Sequence, residues 1–454
     1  MPYSDWRASQ NILQRGRTRG RLKKRLRFAF LSLLGLAGLA YLVVAVIPSL
    51  FNSGGAGAGP DVVLVKPGEK APIPEERLDK KQLARIIGPH AFQIDEIRTF
   101  KIDDEQGHSL FVRTTMDPAL QTWALRELPK VNSLSAALVA MSPKSGEVLA
   151  MASFRADGRP INMALNGNFP AASLFKIVTA AAAVENQHLS SSSTLAYDGR
   201  KHTLYKQHIK GGIQEGSNEV TLKEGFADSI NTVFGKLGAF SLGPKALEGF
   251  ARRFQFNQPI IFEMPVQKSR FEAPEGEDPY RMAELASGFN RTTRVSPLHG
   301  AMLASAIVNG GRLMEPTVVR EVFDMDNNIY YEHKPVSLGQ VVSPRTVKEL
   351  REMMDATVTE GTGRKRFRDL ARHKVLSKLE IGGKSGSIDD EDGHRVDWFV
   401  SYAQMRNGGE SLALAALVVH GEKMGRRSQE LVREAIIHYF GPRLKAAGGA
   451  EPKE

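Results

Sequence analysis

The 454-residue chain reads as an α+β domain carried behind one apolar membrane span. Three observations lead there. Strand-like apolar runs gather at 111–116, 136–141 and 147–152, and again between 381 and 419, with mostly helical sequence between the two groups. A last amphipathic run, 428–439, has helical spacing. Residues 28–47 carry no charge, and a helix of that length, rising about 1.5 Å per residue, crosses the roughly 30 Å of a bilayer's hydrocarbon.

Composition fits a folded chain: 42% of residues are hydrophobic and 24% charged. There is no cysteine, which excludes disulfide scaffolds, thiol nucleophiles and thiolate metal sites. Of the net charge of +11, eight units sit in residues 1–27, where nine Arg and Lys face only Asp5. The excess is therefore a tail and not a domain-wide footprint for nucleic acid, which is not expected as a partner. Placed directly before the apolar run, the tail keeps that end in the cytoplasm and the rest of the chain outside it. Ala56-Gly57-Ala58 resembles a signal-peptide cleavage site, but the apolar run exceeds the roughly 7–15 residues of such a signal, so an uncleaved anchor in the cytoplasmic membrane is expected. The organisation that follows is a basic cytoplasmic tail over 1–27, an anchor over 28–50, a glycine-rich linker and short stem over 51–110, and one domain over 111–445.

In that domain 111–116 reads as a strand. Asp117 caps a helix with Pro118 at its first position. Residues 136–141 and 147–152 form two strands around the hairpin signal Pro143-Lys144-Ser145-Gly146. In the stem, 80–87 reads as a short helix without assignable chemistry.

The stretch Pro170-Ala171-Ala172-Ser173-Leu174-Phe175-Lys176 opens an alanine-rich run with Leu174, Ile177, Val178 and Ala181 at helical spacing. Positions i and i+3 share a helix face, so the Lys176 amine reaches the Ser173 hydroxyl. In apolar surroundings a lysine is driven toward its neutral form, and a neutral amine can take the serine proton. Ser-x-x-Lys alone is weak, and a capping serine before a solvated lysine is the ordinary alternative. Two downstream motifs decide between them. Ser229-Ile230-Asn231 lies between apparent helices, and Lys384-Ser385-Gly386 lies on the first late strand. Ser9-Gln10-Asn11 and Lys144-Ser145-Gly146 have the same form but the wrong context, one in the basic tail and one in a turn before the serine.

The ordered triple resembles the S-x-x-K, S-x-N and K-[ST]-G motifs of penicillin-binding proteins and serine β-lactamases. Thr114-Thr115-Met116-Asp117-Pro118, Ala286-Ser287-Gly288-Phe289, Val295-Ser296-Pro297, Glu360-Gly361-Thr362-Gly363 and Trp398-Phe399 are similar to further segments of the transpeptidase family, so the resemblance covers about 111–440. It implies an antiparallel sheet flanked by helices, plus an all-helical subdomain. Ser173 is then the acylated nucleophile and Lys176 its base. Ser229 passes a proton toward the leaving amine, and Asn231 holds substrate amides. Lys384, Ser385 and Gly386 bind the carboxylate of a terminal D-alanine or its β-lactam mimic. The N–H groups of Ser173 and Ser387 form an oxyanion hole, and Gly383 and Gly386 fit a strand that a ligand approaches closely. The implied partners are peptidoglycan stem peptides, β-lactam antibiotics, the cytoplasmic membrane and a separate glycan polymerase, since 51–110 is too short for a glycosyltransferase domain. No cofactor and no metal are expected. D,D-transpeptidation, D,D-carboxypeptidation and β-lactam hydrolysis share the acyl-enzyme and stay open here, as does a catalytically inactive scaffold.

Two further expectations concern charge. Asp397, where relatives often carry a small residue, is expected to point to solvent. Asp389-Asp390-Glu391-Asp392-Gly393 fails the calcium-loop pattern and reads as a solvated turn. Arg364-Lys365-Arg366 and Arg426-Arg427 are too short for a polyanion patch and read as solvated faces.

Overall fold

The computed structural model describes residues 77–88, 99–103, 109–160, 162–274 and 278–448, all within the unit Val65–Glu454. The expected tail and the apolar run 28–47 lie outside these residues. Among the described residues no helix is long and apolar enough to cross a membrane.

Helix α1 (Lys80–Ile87) starts from a capping box between Asp79 and Gln82 and buries Leu83, Ile86 and Ile87. Strands β1 (Thr99–Asp103) and β2 (Ser109–Thr114) pair antiparallel. The domain start expected near Leu110 therefore falls inside a paired strand, and part of the expected stem belongs to the folded unit. Phe100 and Ile102 alternate with exposed Lys101 and Asp103, a period-2 signal too short to separate from loop in the sequence.

Helix α2 (Pro118–Glu127) is capped by the Asp117 carboxylate, which accepts from the Leu120 N–H, as expected. Strands β3 (Ser135–Met141) and β4 (Val148–Arg155) form the anticipated hairpin. The helical middle contains α3 (Lys176–Asn186), α4 (Leu222–Ala227), α5 (Asn231–Lys236), α6 (Pro279–Ser287) and α7 (Pro297–Val308). Strands β5 (Val319–Asp324) and β6 (Ile329–Glu332) complete a small antiparallel sheet in the order β1-β2-β5-β6. Helix α8 (Pro344–Thr359) then leads to β7 (Leu379–Asp389), β8 (Arg395–Met405) and β9 (Ser411–His420). The closing helix α9 (Ser428–Gly448) runs beyond the expected end at 439, through Pro442.

The central sheet has the order β7-β8-β9-β3-β4, antiparallel throughout. Side chains alternate between its faces. Val396, Trp398, Val400, Ala413, Ala415 and Leu417 join one core with α7 and the helical middle. Phe399, Leu412, Leu414, Ala416 and Val418 join a second core with α2 and α9. Burial on both faces explains why β9 is apolar along almost its whole length. Strand β7 is the sheet's edge, and the 3₁₀ turn Ala172–Phe175 packs against it.

Candidate active site

The nucleophile segment is fixed from three sides. Phe169 and Pro170 pair with Arg294 and Val295. The Ala171 N–H donates to the Thr293 carbonyl at 2.8 Å, and the indole N–H of buried Trp398 donates to the Pro170 carbonyl at 2.9 Å. Ala172 then adopts φ of 49°, a left-handed conformation that L-residues normally avoid, so the chain turns sharply just before Ser173. The α-helix expected from Ser173 begins only at Lys176, since residues 172–175 form a tighter 3₁₀ turn. Gly288 faces that turn. A Cβ there would lie 1.9 Å from the Ala172 carbonyl oxygen, and its φ is 68°, so the position admits only glycine.

Lys176 is fully buried. Its amine contacts the Ser173 Oγ at 2.9 Å, the Asn231 Oδ1 at 2.8 Å and the Ser287 carbonyl at 2.6 Å. Burial, and secondarily the charge of Lys384, pushes its pKa well below the ordinary lysine value. A neutral amine has two hydrogens and one lone pair. The Asn231 and Ser287 oxygens can only accept, so they take the hydrogens and leave the lone pair facing the Ser173 hydroxyl.

Asn231 is itself oriented, because its Nδ2 donates to the His202 carbonyl at 2.9 Å. The residue expected to hold substrate amides thus positions the base in the resting site, with one Nδ2 hydrogen left over.

Ser229 has φ of 57°, strain that residues at functional sites often carry. Its Oγ receives a hydrogen bond from the Lys384 amine at 2.9 Å. Lys384 is also fully buried, and burial lowers its pKa to about 7. The two lysines each lie over a phenylalanine ring, Lys176 over Phe234 at 5.6 Å and Lys384 over Phe226 at 5.3 Å, which offsets part of the cost of burying charge.

Strand periodicity separates neighbours in the third motif. Lys384 points to the helical side and Ser229, while Ser385 points to the opposite side, where its Oγ lies 2.7 Å from the Thr362 Oγ1. Thr362 is anchored to the Ala227 carbonyl through both its N–H and its hydroxyl. A Cβ at Gly386 would meet Ala171 and Ala172 at 3.3 Å, so this glycine lets the strand approach the nucleophile turn. Gly383 has another cause: a Cβ there would strike the Phe399 ring at 2.5 Å, which is core packing and not ligand approach.

Ser173, Ser229, Asn231, Ser385, Gly386 and Ser387 all line one cleft of roughly 1180 Å³. Lys176 and Lys384 lie beneath its floor, so the eight expected site residues converge. His202, Thr362 and the Ser287 carbonyl are the parts that sequence reasoning missed. His202 lines the cleft beside Ser229, and burial together with the Lys176 and Lys384 charges lowers its pKa. Thr362 and Ser287 stand in segments whose family likeness was legible, but their contacts were not.

Two charge expectations are corrected. Asp397 is 2% exposed. It accepts from the Ser428 N–H and hydroxyl at 3.0 and 3.1 Å and pairs with Arg427 at 3.0 Å. Arg426 and Arg427 are not solvated faces, since Arg426 is bound by Glu127 and Glu434 and Arg427 by Asp397. Arg364 and Lys365 are exposed as read, and Lys365 and Arg366 stand on the rim of the cleft. The turn at 389–393 is a hairpin tip as read, with the Asp390 carboxylate accepting from the Asp392 and His394 N–H groups.

Residues 136–438 match the family model of the penicillin-binding protein transpeptidase domain. The chain belongs to this family. The chain is 30% identical over 296 residues to stage V sporulation protein D of Bacillus subtilis, covering 61% of this chain but 44% of that protein. It is 25% identical over 353 residues to the peptidoglycan D,D-transpeptidase PbpA of Mycobacterium tuberculosis, covering 68% of this chain and 67% of PbpA. Solved structures with the same fold include the D,D-transpeptidase domain of a peptidoglycan glycosyltransferase from Eggerthella lenta, at TM-score 0.60, 23% identity and coverage of 73% and 83%. Penicillin-binding protein A of M. tuberculosis, as its imipenem acyl-enzyme complex, matches at TM-score 0.59 and 22% identity over 72% and 79%. Helix α1 and strands β1 and β2 precede the matched residues, and β2 pairs with β5 inside them.

Proposed function

We propose that this chain is a D,D-transpeptidase that cross-links peptidoglycan stem peptides through an acyl-enzyme on Ser173, and that β-lactams acylate the same oxygen. The observation that carries the reading is the buried Lys176 amine, held by two pure acceptors with its lone pair on the Ser173 hydroxyl. Ser173 Oγ attacks the carbonyl of the penultimate D-alanine while its proton passes to Lys176. The N–H groups of Ser173 and Ser387 stabilise the developing oxyanion. Lys384 and Ser385 hold the terminal carboxylate. Ser229, hydrogen-bonded to Lys384, relays a proton to the departing amine. An acceptor amine then takes the acyl group and frees Ser173.

We further propose that residues 28–50 anchor the chain in the cytoplasmic membrane with the catalytic domain outside, and that glycan polymerisation is left to a separate partner. The basis is sequence alone: a charge-free run behind nine cationic residues. A reporter fused after Glu454 is expected to be active only outside the cytoplasm.

Fluorescent penicillin tests the chemistry. The wild type should be labelled covalently and Ser173→Ala should not, with intact-protein mass spectrometry following an adduct that persists for many minutes. An unlabelled but folded wild type would point to a scaffold. Loss of the adduct within seconds, with accumulating opened penicillin, would point to a β-lactamase.

A further inference from the structure

The cleft does not end at the third motif. Ser387 and Asp397 are register partners across β7 and β8, and directly opposed residues of an antiparallel pair project from the same face. The cleft follows that face past Ser387 to Asp397, Arg427, Lys365 and Met424 at the N-terminus of α9. Its chemistry there differs from the nucleophile end.

Asp397 is a buried carboxylate whose oxygens are used entirely by the protein. Oδ2 accepts from Ser428 twice, and Oδ1 lies 3.0 Å from an Arg427 guanidinium nitrogen. Buried His420 closes the far side, with Nε2 3.6 Å from Oδ2. This places Asp397 as a fixed anchor and Arg427 as the oriented group. The Arg427 side chain remains 33% exposed, so guanidinium N–H groups not spent on Asp397 face the cleft. Lys365, also on the lining, is exposed and has no side-chain partner among the described residues. Two neighbouring cations are already neutralised, Arg366 by Glu430 at 2.6 Å and Arg395 by Asp389 at 3.1 Å, while Arg291 on the same lining donates to the Asp389 carbonyl.

We infer that Arg427 and Lys365 form a second carboxylate subsite, taking an acidic group on the donor peptide upstream of its terminal D-alanine, with Asp397 as the positioning residue for Arg427. The inference rests on the peptidyl-transfer reading given above. A peptide lying along β7 with its terminal carboxylate at Lys384 and Ser385 extends roughly 3.3 Å per residue, so an acidic group a few residues upstream reaches this end of the cleft. A planar guanidinium already tied on one side presents its remaining donors with little orientational entropy left to lose.

The test uses two synthetic peptides ending in D-Ala-D-Ala that are identical except that an upstream γ-linked glutamyl residue carries a free α-carboxylate in one and its amide in the other. Release of D-alanine is measured for each, giving a ratio of kcat/KM values, alongside acylation by benzylpenicillin. The carboxylate peptide should be favoured by about tenfold or more, as expected for a charge-assisted hydrogen bond. Arg427→Gln should bring the ratio close to one and Lys365→Gln should lower it. Asp397→Asn should lower it with Arg427 intact, a change in peptide selectivity that a merely structural Asp397 would not produce. Both peptides are read on the same preparation, so a loss of folded protein scales both rates and leaves the ratio untouched. A wild-type ratio of one in an enzyme that benzylpenicillin acylates overturns the subsite alone, as does a ratio that survives Arg427→Gln. Absence of both acylation and D-alanine release overturns the peptidyl-transfer reading and the subsite with it.

Discussion

The two buried lysines have opposite duties, and pH separates them. Lys176 must be neutral to accept the Ser173 proton, whereas Lys384 must be cationic to hold a carboxylate. Because kcat/KM reports groups of the free enzyme, penicillin acylation should rise with pH as Lys176 loses its proton and fall as Lys384 loses its own near 7. The alkaline limb should disappear in Lys384→Met, where there is no proton left to lose. Stability carries a linked signature. The folded pKa of Lys384 is depressed from 10.5 to about 7, so between those values the folded chain binds fewer protons than the unfolded one, and stability rises with pH across the window. A plot of Tm against pH between 7.5 and 9.5 should be flatter in Lys384→Met than in the wild type. Removing the base itself is more damaging to rate. Lys176→Met should slow acylation by about 10³-fold, in the range of a lost general base, and it strands the buried Asn231 Oδ1 and Ser287 carbonyl without the amine that now donates to them.

At the scale of elements, the site depends on how closely backbone segments approach one another. Gly288→Ala would drive a Cβ into the Ala172 carbonyl and should reduce acylation sharply while lowering Tm. Gly310 has a similar φ of 66° but nothing within 4 Å of a Cβ, so Gly310→Ala should cost only the backbone term of about 1–2 kcal/mol and leave acylation intact. Thermal unfolding and penicillin labelling of the pair separate crowding at the nucleophile from strain alone. The same distinction explains what could be read in the chain. Ser173 and Lys176 are three residues apart, so helical geometry brings them together without knowledge of anything distant. The hairpin at 143–146 and the Asp117 cap are equally local. Thr362 meets Ser385, and the Ser287 carbonyl meets Lys176, only through folding of segments 23 and 111 positions apart, and no spacing rule encodes that. Asp397 misled for a physical reason. A lone aspartate on a strand is ordinarily outward and solvated, but here the start of α9 supplies Ser428 and Arg427 as donors and makes burial tolerable.

At the scale of the whole described unit, long stretches of sequence are held together, and the first described helix, α1, illustrates how. Glu263 is fully buried and Lys80, from α1, approaches its carboxylate at 3.6 Å while bonding Glu315 at 2.6 Å. Lys80→Met removes that cation from a buried acid and should destabilise the domain by about 3 kcal/mol, measurable by urea unfolding. A chain beginning at residue 109 should be less stable still, since it also loses Leu83, Phe100 and Ile102 from the core. The central sheet spans the sequence even more widely. Ser135 of β3 pairs with Val419 of β9, so one of its inner seams joins residues near the beginning and the end of the domain. Made at roughly 5–20 residues per second, the chain exposes the apolar β3–β4 hairpin for about 15–60 s before its partner strand exists. Synthesis alone therefore delays closure of the sheet, and the clock is set by topology and not by any slow chemical step.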